Sequence, residues 1–211
     1  MVRRLGREQF CQDERGVTLV EALLVTPIVL LVLVAMVEFG TAVYQWNQAT
    51  KAVQIGARLA AVSSPITGDA AYAGLVADHS GIPEGDPTPS SPASVSCGAG
   101  AVACDATRLA RLLDGGDGSC QPSGTLSMMG MCDFAPFITS DNVRVTYYRS
   151  GLGYVGRPFG PVSTITVELR QLSFDFLLAD DLIPGLSSFM IPAQPVSITS
   201  EDVNNCRDIC P

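Results

Sequence analysis

From Ala22 to Val37 the chain runs sixteen residues without a charge, and eleven of them are Leu, Ile or Val. Carried back to Val17, the apolar stretch is 21 residues long, with Glu21 as its one charged interruption. That length crosses a bilayer core as an α-helix. Eleven aliphatic side chains contribute roughly −3 to −7 kcal/mol to insertion. One acid costs at most about 2.5–3.5 kcal/mol at the centre, and Glu21 stands near the end. Pro27 is tolerated inside a membrane helix. The pattern therefore predicts a transmembrane helix over 17–37.

Helical periodicity continues past the span. Phe39, Val43, Trp46, Thr50, Val53, Ala57 and Ala60 recur at alternating spacings of four and three, beside the small residues Ala42, Ala49, Ala52 and Gly56. This amphipathic stripe predicts an extension of the helix over 38–62, packed on a head domain or on a partner helix. The remainder, 63–211, reads as a small α+β head. A short helix is expected over Ala70–Asp78, and a second from the N-cap Asp105 through Leu113, ended by Gly115 and Gly116. Alternation predicts strands at Asn142–Arg149 and Ser163–Phe176, and a last strand at Pro195–Thr199. Residues 82–96 are Pro/Ser-rich and read as a loop.

Charge gives the helix a direction. Arg3, Arg4, Arg7 and Arg15 precede the span, whereas Lys51 and Arg58 alone follow within reach. The positive-inside bias puts residues 1–16 in the cytoplasm and the bulk of the chain outside. A cleaved secretory signal is the rival, but Glu38–Tyr44 offers no clean Ala-x-Ala-like site. Overall, 16% of residues are charged, against roughly 25% in soluble domains. The net charge is −8. An acidic chain without a basic stripe repels phosphate backbones, so nucleic-acid binding is excluded as a reading.

Seven cysteines fit this topology: Cys11 inside, and Cys97, Cys104, Cys120, Cys132, Cys206 and Cys210 outside. An oxidising exterior allows six cysteines to form three disulfides. Sequence leaves 15 connectivities open; pairing of neighbours is the simplest. A zinc site is the alternative, weakened by a single His and no C-x-x-C pair.

The junction before the span carries the most specific pattern. Gly16-Val17-Thr18-Leu19-Val20-Glu21 stands between a short polar leader and the apolar helix. It resembles the class III signal of type IV prepilins, which a membrane aspartyl peptidase cuts after the glycine. That resemblance implies cleavage between Gly16 and Val17, with Glu21 the fifth residue of the mature chain. Glu21 then has two readings: a juxtamembrane acid that snorkels to the headgroups, or the partner of the new α-amino group of Val17 on a neighbouring subunit.

The longer run Arg15-Gly16 through Glu21-Ala22-Leu23-Leu24-Val25-Thr26-Pro27 is followed by Val37-Glu38-Phe39-Gly40 and Gly56-Ala57-Arg58-Leu59-Ala60. This looks like the TadE-like proteins of tight-adherence (Flp) pilus systems, well over 15–62 and loosely over 163–202. One departure is Ala22, where the family usually has an aromatic. The resemblance implies a non-catalytic pseudopilin or minor pilin in the bacterial inner membrane. Its partners would be the prepilin peptidase, other pilins and pseudopilins, the inner-membrane assembly platform and the lipid bilayer. No cofactor or metal is expected. The alternatives are a bitopic membrane-anchored binding protein and a type II secretion pseudopilin.

Enzyme patterns are weak. Asp78, His79 and Ser80 are adjacent, and adjacent residues do not converge as a triad must. No G-x-S-x-G, P-loop or H-E-x-x-H occurs. Asp114–Ser119 and Asp180-Asp181 read as turns rather than calcium sites.

Overall fold

The computed structural model describes residues 15–121, 128–157, 161–176, 188–190 and 193–200. Helix α1 spans Arg15–Ala61, 47 residues, or about 70 Å. The short α2, Asp69–Ala73, runs on into a 3-10 turn, Gly74–His79. Then follow β1 (Ala93–Gly98), α3 (Ala106–Asp114), β2 (Val143–Leu152), β3 (Val162–Leu169), β4 (Ser173–Asp175), β5 (Ser188–Met190) and β6 (Val196–Thr199). The long apolar helix followed by a disulfide-bonded α+β head is the architecture expected from the sequence. The chain divides into two compact units. One contains Met1–Val43 and Asp175–Ser188, the other Tyr44–Phe174 and Phe189–Pro211.

The head is built on a four-stranded antiparallel sheet in the order β1-β2-β3-β6. Alternation in β2 and β3 sorts the side chains. Val143, Val145 and Tyr147 stand opposite Leu169, Val167 and Ile165, and all six are buried. The other face carries hydroxyl pairs: Ser96 with Thr146 at 2.9 Å and Thr166 with Ser197 at 2.7 Å. Cross-strand hydroxyl pairs of this kind hold register without an apolar neighbour.

Two expectations need correction. The loop expected over 82–96 ends early, because Ala93–Ser96 pair with Arg149–Thr146 as part of β1. The strand expected over Ser163–Phe176 is two strands. Between them Gln171 takes a positive φ of 56°, and the Asn142 side-chain amide donates to the carbonyls of Arg170 and Gln171, 3.2 and 3.3 Å away. A left-handed residue ends a ladder, and Asn142 satisfies the carbonyls so released. The turn read at Leu177–Pro184 lies outside the described residues.

Three polar clusters join the head's short elements to its sheet or to one another. The Tyr147 hydroxyl accepts the Ile66 N–H at 2.9 Å. Its ring meets Tyr72 edge-on at 5.4 Å, and the Tyr72 hydroxyl pairs with Ser163 at 2.7 Å. Burial pushes both phenols up, so both stay protonated. The Arg149 guanidinium, 2% exposed, grips both oxygens of Asp78 and donates to the carbonyls of Leu75 and Ser91. That bond to Arg149 holds Asp78 below the usual carboxylate range. Asp78 is thus committed to Arg149, not to His79. Arg108 makes a similar fork on Asp69, at 2.8 Å to each oxygen, and lowers its pKa in the same way. The Asp105 side chain caps α3 by accepting the Arg108 N–H, as its position predicts.

Cys97 pairs with Cys104 and Cys120 with Cys132, with Cα separations of 4.9 and 5.0 Å. These are two of the three neighbour pairs; Cys206, Cys210 and Cys11 lie outside the described residues. The loops closed are short, and chain entropy assigns about 2.5 kcal/mol to the first bond and about 3 kcal/mol to the second. Replacing either pair by alanines is therefore expected to lower head stability by those amounts. Urea unfolding of the full chain in detergent, followed by near-ultraviolet dichroism, checks this; an unchanged midpoint for both variants would contradict it.

Candidate functional site

The sequence pointed to α1 and to the junction at its start. Arg15, Gly16 and Val17 form the first turn of α1. A peptidase needs an extended backbone at the bond it cuts, so cleavage at the expected Gly16–Val17 bond would require this turn to unwind. The first four N–H groups of a helix have no intrahelical acceptor, so opening this turn breaks few hydrogen bonds. Glycine lowers the cost by roughly 1 kcal/mol relative to alanine, because it is a poor helix former. The residues before Arg15, most of the leader 1–16, lie outside the described residues.

From Leu19 to Val37 the large apolar side chains stand open: Leu19 is 68% exposed, Leu23 68%, Ile28 62% and Met36 66%. The segment's most apolar window has a mean hydropathy of 2.7 and none of it is buried. In water such a surface is untenable for a stable monomer. In a bilayer it is the required surface. Thr26, the polar residue inside the run, donates its hydroxyl to the Ala22 carbonyl at 2.7 Å and so presents no free donor to lipid. Glu21 is exposed on this same apolar surface, one helical turn beyond Val17.

The second half of α1 has a different surface. Ala49, Ala52, Val53, Gly56, Ala57, Ala60 and Ala61 are buried, whereas Phe39 is 72% and Trp46 43% exposed. The buried face takes the stripe's Val53, Ala57 and Ala60 together with the small residues beside it, while the stripe's aromatics Phe39 and Trp46 stay open. Its reason is at Gly56. A Cβ there would lie 2.6 Å from the sulfur of Met131, which is fully buried on it. Small residues let the head come close to the helix backbone, and a larger side chain would hold it off. Met131 was not singled out by the sequence; its neighbour Cys132 was, for its disulfide.

Among the described residues, Asp114 and the sulfurs of Cys120 and Cys132 form one cluster of metal-ligand types. The Asp114 carboxylate is 3.7 and 3.6 Å from the two sulfurs. Both sulfurs are joined to each other, so neither is the thiolate a metal would take. Asp117 accepts the Ser119 N–H at 3.1 Å, a side-chain turn that fits the reading of this acidic stretch.

The deciding observation is a family comparison. Residues 16–58 match the TadE-like protein family. The TadE-like segment begins at Gly16, takes in Glu21, the apolar run and Glu38-Phe39-Gly40, and ends at Arg58, just past the Gly56 contact. The sequence resemblance at 15–62 is therefore met over almost its whole length, while 163–202 lies beyond the match. No curated protein matches the chain, and no solved structure does. The TadE-like segment supports a pilin-like role associated with tight-adherence pili, and its long apolar helix makes the chain a membrane-anchored protein.

Proposed function

We propose that the chain is a non-catalytic minor pilin or pseudopilin acting in assembly of a Flp-type pilus. It would sit in the inner membrane with residues 1–16 in the cytoplasm and the head, 63–211, on the outer side. Cleavage by a prepilin peptidase after Gly16 then leaves Val17 as the mature terminus. Its partners are that peptidase, other pilins or pseudopilins, and the assembly platform. The observation that carries the reading is the TadE-like match, because it begins at the glycine of the junction and covers the whole exposed apolar helix. Two disulfides in the head support the outward orientation, since such bonds persist in oxidising compartments. The TadE-like family is generally non-enzymatic.

In this reading α1 does the work of assembly. Its exposed apolar surface is stored in lipid and moves into contact with other helices when a filament forms. Both environments are apolar, so the transfer costs little hydrophobic free energy and is decided by packing and polar pairs. Glu21 is the polar group at hand, and the α-amino group of Val17 is the cation that processing creates.

An anchor exchange tests this. Cells lacking the gene are expected to lose surface pili, and the full chain to restore them. A chain in which 17–37 is replaced by an unrelated leucine-rich span is expected to insert but to restore nothing. Full rescue by the exchanged chain would show that the span is a plain anchor, and the bitopic binding-protein reading would take its place.

A further inference from the structure

We infer that Tyr44 and Trp46 seat in the outer headgroup layer and set the depth of α1, so that the hydrocarbon core covers Ala22–Val43 rather than 17–37. The inference rests on α1 crossing a bilayer and not on the pilin role.

Four observations meet at these residues. Tyr44 is 63% and Trp46 43% exposed, although they stand between the buried positions Glu38 and Ala49 of the same helix. The two rings are thus large apolar groups that the head does not cover. Tyr and Trp favour the membrane–water boundary, where the ring lies against the acyl chains and the O–H or N–H meets water. The compact unit that contains the head begins at Tyr44. Lys51, the next charged residue after Glu38, is exposed just beyond.

Length agrees. Ala22 to Val43 is 22 residues, about 33 Å along the axis, which spans a hydrocarbon core of about 30 Å with an ordinary tilt. Tyr44 and Trp46 then stand about 1.5–4.5 Å beyond the core edge, inside a headgroup layer about 5–7 Å deep. With the core over 17–37 they would stand about 10–14 Å beyond its edge, in water. Glu21 leaves the core for the inner boundary, which suits an exposed acid.

Glu38 supplies the most telling check. In this register it lies about 7.5 Å inside the core, where a carboxylate facing lipid would be costly. Glu38 is 4% exposed, although its neighbours Val37 and Phe39 are 52% and 72% exposed. Within Ala22–Val43 of α1, the one charged side chain is covered by protein rather than open to lipid.

Trp46 is the chain's single tryptophan, so its fluorescence reports its own depth. The full chain is reconstituted in phosphatidylcholine–phosphatidylglycerol vesicles, which contain no pilus component. Nitroxide quenchers are placed near the headgroup end or near the terminus of the acyl chain. The shallow quencher is expected to act at least about twofold more strongly than the deep one on Trp46. In a Phe39→Trp/Trp46→Phe variant the probe moves about 10.5 Å inward, and the deep quencher is expected to dominate. Trp46 quenched by neither lipid label but freely by aqueous acrylamide would overturn the assignment. So would shallow quenching that persists unchanged in the double variant.

Discussion

Glu21→Ala is expected to be processed and inserted normally but to leave the cell without pili. The peptidase needs Gly16 and the apolar helix, and neither is touched. Removing an acid from the apolar surface favours retention in lipid, by up to about 2.5–3.5 kcal/mol if it were central and by less at the inner boundary. Assembly is where the loss falls. Once α1 leaves the headgroups for the interior of a filament, the α-amino group of Val17 enters a low-dielectric setting. There an unpaired charge is expensive and a paired one is held strongly. Glu21→Gln keeps the shape and drops the charge, so it is expected to fail nearly as badly. Glu21→Asp keeps the charge on a shorter arm and is expected to restore part of the function. Pilus yield and surface adherence, scored beside immunoblots for the processed chain, separate the steps. Normal piliation with Glu21→Ala would reduce the residue to a juxtamembrane acid.

The second large effect is in the head. Gly98→Ala is expected to destabilise it by about 4 kcal/mol, a large share of the roughly 5–15 kcal/mol that holds a domain folded. Gly98 ends β1 with φ at 95°, and a Cβ there would lie 2.1 Å from the Val143 carbonyl oxygen. That oxygen is not free to move, because it accepts the Ala99 N–H at 2.9 Å. Strain at positive φ contributes about 1–3 kcal/mol and the overpacked contact a similar amount. Cys97, one residue earlier, ties the same strand end to Cys104, so the distortion cannot be relieved by peeling the strand away. Loss of the head's near-ultraviolet dichroism at a much lower urea concentration than in the wild type, with insertion of α1 intact, is the expected result. A variant unfolding at the wild-type urea midpoint would show that β1 can shift to admit the methyl group.

What the sequence made legible follows the strength of local patterns. The apolar run is long and uncharged, so α1 was visible to within a residue of its observed end. Asp105 before an amphipathic turn gave α3, and Val-x-Val alternation gave the middle of β2. β1 was hidden because Ala93-Ser94-Val95-Ser96 has little apolar content of its own. It is a strand because β2 supplies the hydrogen bonds and Thr146 the hydroxyl partner of Ser96. On α1 the spacing put Val53, Ala57 and Ala60 on the buried face, but with them Phe39 and Trp46, which stay exposed. Spacing finds the large residues, but the head approaches over the small ones, where Met131 lies on Gly56. The Arg149–Asp78 grip joins residues 71 positions apart, and no local pattern announces such a pair. At the candidate site Gly16, Val17 and Glu21 are named by the pattern of residue types alone. The role of Tyr44 and Trp46 emerges only once their exposure is set against the burial of Ala49 and Glu38.

The central claim is that this chain is a processed, pilin-like subunit, and the N-terminal sequence of the membrane-extracted protein tests it most directly. From cells with an active prepilin peptidase, the sequence is expected to begin at Val17 and continue Thr18-Leu19-Val20-Glu21. From cells without the peptidase, or carrying Gly16→Leu, it is expected to begin upstream of Gly16 with the leader intact. An intact leader on the wild-type protein in the presence of the peptidase would contradict the account.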